Sequence, residues 1–142
     1  MNEVDGTPAP MAFLMLGAAH EVEARLESGL AEVGLSLAKF RLLAKLVEAG
    51  EPLPLGGLAE HCSCVRSNIT QLVDRLEAEK LVERVNDPSD RRSVRAALTP
   101  AGRARHAEGV RALAAAEREV FARLAADDRA ALERLVERLG GA

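Results

Sequence analysis

The sequence predicts a mainly α fold with a small β-hairpin, and two observations carry this prediction. Apolar residues recur at three- and four-residue spacing through most of the 142-residue chain, which is the period of helices that rest on a core. The exception lies around residues 81–98, where two short, partly alternating runs flank a turn rich in Asn, Asp and Pro. That pattern is typical of two strands joined by a tight connection.

Size and composition favour a single ordinary domain. The chain has 48% hydrophobic and 29% charged residues, which excludes a disordered or membrane-spanning class. Its N-terminal apolar run meets His20 and Glu21 after about ten residues, too short to span a bilayer, and no basic residue precedes it as in a signal peptide. Two cysteines do not make a secreted disulfide scaffold. We therefore expect a cytoplasmic protein with no membrane partner.

The first part of the chain predicts a flexible tail and two helices. Residues 1–10 contain two prolines and no periodicity, and the helical pattern starts at Met11. Ser36 suits the N-cap of a second helix that ends at Gly50. The "EPLPLGG" segment that follows is expected to be a connector. The apolar residues that the second helix should bury are Phe40, Leu43, Ala44 and Val47.

The middle of the chain predicts a helix-turn-helix followed by the hairpin. A short helix over about residues 55–62 leads to a tight turn at Ser63–Val65, and the next helix covers about residues 66–79. The strands are "LVERV" and "SVRAAL", with Val94, Ala96 and Leu98 on one side. The helix predicted over about residues 66–79 should rest on the core through apolar residues at i, i+3, i+4 and i+7. These residues are Ile69, Leu72, Val73 and Leu76.

Two further helices are predicted in the last third. Thr99 followed by Pro100 is an N-cap with the favoured first-turn proline. The helix that begins there is expected to run about 25 residues, through Leu124. Asp127 is expected to cap the last helix. The apolar stripe of that helix is Leu132, Leu135, Val136 and Leu139.

The order helix, helix, turn, helix, hairpin is that of a winged helix-turn-helix, whose second helix can enter the DNA major groove. Arginine can donate to a guanine edge, and asparagine and glutamine suit adenine. A solvated helix face is the alternative reading of the same polar residues. The predicted DNA contacts of this recognition helix are Arg66, Ser67, Asn68, Thr70, Gln71 and Arg75.

The hairpin tip carries adjacent arginines, which repel each other and contribute nothing to a core. Residues 80–105 hold seven basic and three acidic residues, a charge of +4, whereas the rest of this chain of net charge −3 carries −7. An arginine at a wing tip can enter the electronegative minor groove, and we predict this for Arg92. Asp90 is expected to orient the Arg92 guanidinium. Arg91, as a phosphate contact, and Arg95 complete the predicted contacts of the wing.

Residues 58–102, "LAEHCSCVRSNITQLVDRLEAEKLVERVNDPSDRRSVRAALTPAG", resemble the core of the MarR family of bacterial transcriptional regulators. The matching marks are "LVDRLEAEKLVERV", "DPSDRRS" and "ALTPAG". The resemblance implies a homodimer with interlocking terminal helices that binds a palindrome in double-stranded DNA, acts as a repressor and responds to a small-molecule effector. It makes Asp90 and Arg92 the family's Asp-x-Arg wing signature.

The resemblance also implies a division of the chain into four parts. These are a tail over residues 1–10, an N-terminal dimerisation helix over 11–35, the winged helix-turn-helix over 36–102 and C-terminal dimerisation helices over 103–142.

The sequence departs from the family pattern in the turn. Where such proteins often have "LGVS", this chain has Cys62, Ser63, Cys64 and Val65. Valine offers no side-chain acceptor for an N-cap. The helix start is therefore expected to shift to Ser67 or Asn68, or to be capped in another way.

The segment "EHCSC" places His61, Cys62 and Cys64 close together. Thiolates bind soft metals and undergo oxidation, so a thiol- or metal-responsive regulator is one interpretation. The other, which the resemblance favours, is that both cysteines pack as small core residues. Neither a metal nor a cofactor is predicted.

The sequence also bears on the effector site and on two other classes of function, an enzyme and a protein-binding module. The resemblance places His20 near the family's effector cleft, although a satisfied interface histidine is the simpler interpretation. With three Phe and no Trp or Tyr, the chain offers few rings to stack on a phenolic effector, and another lipophilic compound is an alternative. No catalytic constellation is evident, so an enzyme is not expected. A winged helix used only for protein contacts is the alternative of another class.

Overall fold

The computed structural model describes residues 10–61 and 66–140. Within these ranges the six predicted helices and the two strands of the predicted hairpin follow one another in the predicted order, and one further strand lies between the second and third helices. They are α1 (Met11–Ala31), α2 (Leu37–Ala49), β1 (Leu53–Pro54), α3 (Leu55–His61), α4 (Arg66–Ala78), β2 (Val82–Asp87), β3 (Asp90–Leu98), α5 (Pro100–Val120) and α6 (Ala126–Leu139). The predicted N-terminal tail and the turn at Ser63–Val65 lie outside the described residues.

Local chemistry sets several helix ends as predicted. The Ser36 hydroxyl accepts a hydrogen bond from the Lys39 amide at 3.2 Å, and Gly50 ends α2 with φ at +69°. Thr99 caps α5, since its hydroxyl accepts from the Gly102 amide at 2.9 Å. Helix α4 already includes Arg66, so its start is not shifted to Ser67 or Asn68, and the residues that precede it lie outside the described residues.

The sheet has the order β1-β3-β2, with both pairings antiparallel. The hairpin pairs Val82 with Leu98 at its base. The connector prediction was wrong for two residues, because Leu53 and Pro54 pair with β3. So short a strand shows no alternation of apolar and polar residues, and the sequence pattern therefore could not predict it. Its proline is tolerated because β1 is an edge strand.

The core lies beneath the helix-turn-helix. The predicted stripe of α4 is confirmed, with all four of its members buried. The predicted face of α2 is rotated, because Leu42 and Leu46 are buried beside Leu43, whereas Phe40 and Val47 are half-buried. The fully buried large side chains are Leu30, Leu42, Leu43, Leu46, Leu58, Ile69, Val73, Leu76, Leu81 and Val82.

The C-terminal helices differ from the prediction at their junction. Helix α5 ends at Val120 rather than Leu124, and a short turn follows. Asp127 does not cap α6. Ala125 precedes that helix without a side-chain cap, and Asp127 lies in its first turn, where a carboxylate still interacts favourably with the helix dipole. The apolar periodicity continues across this turn, so it could not reveal the break.

Helix α5 connects the helix-turn-helix to α1. On one side the His106 ring stacks on Phe40 of α2, with ring centroids 5.2 Å apart, and burial, followed by the charge of Arg103, lowers the pKa of His106. On the other side Gly29 of α1 lies so close to α5 that an added Cβ would be 3.1 Å from the Ala116 Cβ. The two helices therefore cross at a small-residue contact.

Helices α1 and α6 are poorly covered. On α1 only Leu30 is buried, whereas Leu14 and Ala18 are exposed. Helix α6 buries no residue. In the part of the chain that the structure describes, no helix combines the length and apolarity that a membrane crossing requires.

Candidate nucleic-acid interface

Helix α4, the predicted recognition helix, rests on the core through its apolar stripe and turns a polar side outward. On that side the described side chains, all exposed, are Asn68, Thr70, Gln71 and Arg75. Arg66 and Ser67 lie in the first turn of the helix, but their side chains are not described. Since α4 is anchored by Ile69 and Leu72, which are buried, its outer residues are presented in a fixed rotation about the helix axis.

The tip of the wing is held by Asp87. Its carboxylate accepts hydrogen bonds from the Ser89 amide at 2.9 Å and the Ser89 hydroxyl at 2.7 Å. Its second oxygen accepts from the Arg95 guanidinium at 3.0 Å. The bond from the Ser89 amide, followed by those from the Ser89 hydroxyl and from Arg95, lowers the pKa of Asp87 from 3.8 to about 2. The turn at residues 88–89 is thus held by the carboxylate of Asp87, the residue that directly precedes it.

The Asp90 carboxylate accepts a hydrogen bond from the main chain of the wing. We predicted that Asp90 orients the Arg92 guanidinium, and the structure corrects this, because its carboxylate accepts from the Arg92 main-chain amide at 2.9 Å. A carboxylate two residues before an amide closes such a local bond easily. The Arg92 side chain is exposed and, among the residues that the structure describes, has no hydrogen-bond or ion-pair partner. It is therefore available to a ligand.

Arg95 is engaged within the protein. Besides Asp87, its guanidinium donates to the Pro52 carbonyl at 3.3 Å, and its side chain is half-buried. It joins the wing tip to the segment before β1, and the DNA contact predicted for it stays a prediction. The Arg91 side chain is not described.

Arg84 on β2 is a residue of this region that sequence reasoning missed. Its guanidinium donates to Asp74 at 2.6 Å and to Glu77 at 2.8 Å, both on α4. Burial lowers the pKa of Arg84, but the bonds to the two carboxylates outweigh this effect and hold it above its usual value. Acids one turn apart on a helix, followed by an arginine on the next strand, are the signal that could have indicated this contact.

An open cleft of about 500 Å³ lies between α4 and the wing. Thr70 contributes to it from α4, and Asp90 and Arg92 from the wing. The two parts predicted to contact DNA therefore border one space on one side of the molecule. The remaining lining residues are Pro54, Leu55, Gly56, Ser93 and Val94.

The other candidate site residues are not brought to this cleft. His20 is exposed on α1 and lines none of the described cavities. His61 ends α3, but its side chain is not described, and Cys62 and Cys64 lie outside the described residues. In the described ranges, which omit both cysteines, no three potential metal ligands cluster.

Comparison with known proteins gives consistent matches. The model of the MarR family matches residues 35–94. The HTH-type transcriptional repressor Rv2887 of Mycobacterium tuberculosis is 29% identical over 132 residues, which cover 93% of this chain and 94% of that protein. A probable transcriptional regulator from Pseudomonas aeruginosa has a crystal structure that matches with a TM-score of 0.79 at 29% identity, covering 91% of this chain and 96% of the other.

A third match concerns regulation. BpsR of Bordetella bronchiseptica matches with a TM-score of 0.80 at 26% identity, covering 96% of this chain and 99% of the other. Its structure is described as the mechanism by which 6-hydroxynicotinic acid regulates the DNA binding of BpsR.

A helix-turn-helix followed directly by a hairpin that borders the same cleft defines the winged helix-turn-helix class of DNA-binding transcriptional regulators. The family model falls on that unit, and the relatives match along almost the whole chain. The part of the chain that matches the MarR family comprises its helix-turn-helix and most of its wing.

Proposed function

We propose that this protein is a transcriptional repressor that inserts α4 into the major groove of its operator and Arg92 into the adjacent minor groove. The observation that carries the proposal is the cleft that Thr70 and Arg92 both line, because it sets the recognition helix and the wing side by side. The repressor role is supported by the relative from M. tuberculosis.

The charge distribution supports the same orientation. The +4 charge of residues 80–105 includes the whole wing, in a chain of net charge −3. Arginine at the wing can neutralise phosphate charge and release counterions, and its flat guanidinium suits a narrow minor groove. An exposed arginine with no described partner inside the protein gives up no internal bond on binding.

The experiment is a titration of DNA from the gene's own upstream region with wild type and the Arg92→Ala variant. We expect at least about a tenfold loss of affinity and a shallower dependence on salt. Arg25→Ala is the matched control, since Arg25 is an exposed arginine on α1 whose one ion-pair partner among the described residues is Glu21 at 3.4 Å. Undiminished binding by Arg92→Ala would contradict the wing assignment, and wild type that binds no duplex would contradict the function.

We infer that the repressor acts as a homodimer on a palindromic operator. All the large apolar side chains that the described chain leaves exposed lie on α1, α5 and α6 or in the turn between α5 and α6. Exposed apolar side chains concentrated on a few elements in this way support an interaction site. A two-fold axis through these helices would set the two recognition helices about 34 Å apart, one turn of DNA.

Sedimentation of α6 variants tests the dimer. Leu135 is 53% exposed in the single chain, so Leu135→Asp should disrupt a dimer without disturbing a core. Arg134→Asp is the control, because residue 134 lies on the side of α6 opposite the apolar stripe. Equal sedimentation of wild type and both variants as monomers would contradict the proposal.

We also propose that a small lipophilic compound, a phenol or an aromatic acid, modulates DNA affinity. The support is the regulation of BpsR by 6-hydroxynicotinic acid, together with an open groove of about 350 Å³ between α5 and α6 that Phe121, Leu132 and Val136 line. That volume is within the range of ligand sites. Release of bound DNA by 6-hydroxynicotinic acid or a related aromatic acid is the expected result. Release only by an oxidant or a metal, abolished in a Cys62→Ala, Cys64→Ala double variant, would instead indicate the thiol- or metal-responsive alternative.

A further inference from the structure

The recognition helix is tied to the wing by a single guanidinium that spans two of its turns. The Arg84 side chain on β2 reaches Asp74 at 2.6 Å and Glu77 at 2.8 Å, and it approaches the Thr70 carbonyl at 3.4 Å. Thr70 and Glu77 are separated by about two helical turns. One side chain therefore contacts much of the length of α4 on the side that adjoins the hairpin.

Glu77 strengthens this tie by holding the backbone as well. Its second oxygen accepts from the main-chain amide of Arg84 at 2.9 Å, while Oε1 accepts from the guanidinium. Strand β2 lies at the edge of the sheet, so this amide is satisfied by the helix rather than by another strand. The orientation of β2 and that of α4 are thus fixed to each other at one residue.

Arginine is required by this geometry. A planar guanidinium can serve two carboxylates and a carbonyl at once, whereas the ammonium group of lysine is a point charge at the end of a flexible stem. The Arg84 side chain is 26% exposed, less than Asp74 at 60% and Glu77 at 42%. The network is bidentate and shared, which distinguishes it from isolated surface pairs that contribute almost nothing.

The position of Arg84 on β2 couples the orientation of the hairpin to the position of the wing tip. Arg84 faces Ala96, a fully buried residue of β3, across the hairpin. Three residues further along β2, about 10 Å at the usual rise of a strand, the chain reaches Asp87 and the tip that presents Arg92. A small rotation of the hairpin at Arg84 would therefore displace the wing tip relative to the recognition helix.

We propose that Arg84 is a positioning residue for operator recognition, which holds α4 and the wing at the relative angle that lets both engage their grooves together. This rests on the proposed DNA-binding function and adds the source of its geometric specificity. Non-specific binding needs only charge near phosphate, whereas specific binding needs both elements in register with the bases. Loss of Arg84 should therefore lower the preference for operator more than the affinity for random DNA.

Replacing one of the two carboxylates separates a positioning role from a purely electrostatic role, because the two roles predict different changes in DNA binding. Removing an acid from a DNA-binding helix reduces repulsion of phosphate and, by charge alone, strengthens binding to any duplex. If Glu77 positions Arg84, Glu77→Gln should instead reduce the preference for operator. Glu83→Gln is the matched control, because Glu83 is an exposed neighbour of Arg84 on β2 that takes no part in the described network.

The experiment compares Kd for the footprinted operator with Kd for random duplex at several salt concentrations. The variants are Arg84→Met, which keeps the apolar stem, Arg84→Lys, Glu77→Gln and Glu83→Gln. We expect the ratio of specific to non-specific affinity to fall about tenfold in Arg84→Met, the size of one lost base contact. Arg84→Lys should recover part of the loss, Glu77→Gln should show a smaller fall, and Glu83→Gln should keep the wild-type ratio.

The circular dichroism spectrum and a cooperative thermal unfolding transition report whether each variant is folded. If Arg84→Met is unfolded, the ratios of Arg84→Lys and Glu77→Gln decide. Wild-type ratios in the folded Arg84 and Glu77 variants would overturn the positioning role while leaving DNA binding intact. A wild-type protein with no preference for any sequence would instead overturn the proposed function, and the positioning role with it.

Discussion

The winged helix-turn-helix and the helices α1, α5 and α6 differ in how completely one chain buries its apolar side chains. In the first region the leucines of α2 and the stripe of α4 form a closed core. In the second, α6 buries no residue, and Phe13, Leu135 and Leu139 are each more than half exposed. The difference is that one chain covers the apolar side chains of the winged helix-turn-helix, whereas it leaves many of those on α1 and α6 exposed.

The largest expected effect comes from the core of the first region. Leu43→Ala should lower the free energy of unfolding by about 3 kcal/mol, because Leu43 is fully buried and its removal leaves a cavity. Denaturant unfolding at several protein concentrations measures it. The shift should be independent of concentration, whereas that of Leu135→Ala should grow as the protein is diluted. Equal behaviour of the two variants would remove the distinction between the regions.

The junction of the two regions is the next most sensitive point. A Cβ at Gly102 would lie 2.0 Å from the Leu81 carbonyl oxygen, so Gly102→Ala forces the start of α5 away from the wing. We expect a loss of about 2–3 kcal/mol of unfolding free energy. Gly57→Ala is the control, because nothing lies within 4 Å of an added Cβ there, and the replacement raises helix propensity. A Gly102→Ala protein as stable as wild type would show that the two regions are not packed as described.

A smaller and opposite effect is expected where α4 turns into the wing. Lys80 has φ at +64°, a conformation that favours glycine. Lys80→Gly should therefore increase the free energy of unfolding by about 1 kcal/mol, measured by denaturant titration. Lys80→Ala keeps a side chain in the same conformation and should give no such gain. A gain in both would assign the effect to the lost charge.

The smallest effect concerns the wing tip and pH. Because the pKa of Asp87 is lowered from 3.8 to about 2, its bonds contribute stability that is complete above about pH 4 and is lost as the pH falls through about 2. A carboxyl NMR titration of wild type should give that pKa. In Arg95→Gln the pKa of Asp87 should rise, and in Arg25→Gln it should not change. An unchanged value in Arg95→Gln would show that Arg95 does not hold the tip.

Much of the local structure could be predicted from the sequence because the signals are local. The hydroxyls of Ser36 and Thr99 bond amides three residues away, and the stripe of α4 needs only its own periodicity. The predictions that failed depend on other parts of the chain. The strand at Leu53 exists only because β3 lies beside it, and the end of α5 falls within an unbroken apolar pattern.

The candidate interface divides in the same way. The exposed polar side of α4 and the exposed Arg92 follow from sequence. The hydrogen-bond partner of Asp90 does not follow from the sequence. A carboxylate two residues before Arg92 can reach either the main-chain amide or the guanidinium of that residue, and in the structure it accepts from the amide. The network of Arg84 was missed because its carboxylates lie seven and ten residues away on another element.

By itself, the sequence determined the order of the six helices and the hairpin, the caps at Ser36 and Thr99 and the charge of the wing, since these depend on spacing, side-chain chemistry and residue counts. Only the tertiary structure decided which arginines of the wing are engaged. Arg95 and Arg84 are bonded within the protein, and Arg92 is exposed. The physical reason is that a guanidinium takes whichever acceptors the folded chain brings within about 3 Å, and the linear sequence does not specify those distances.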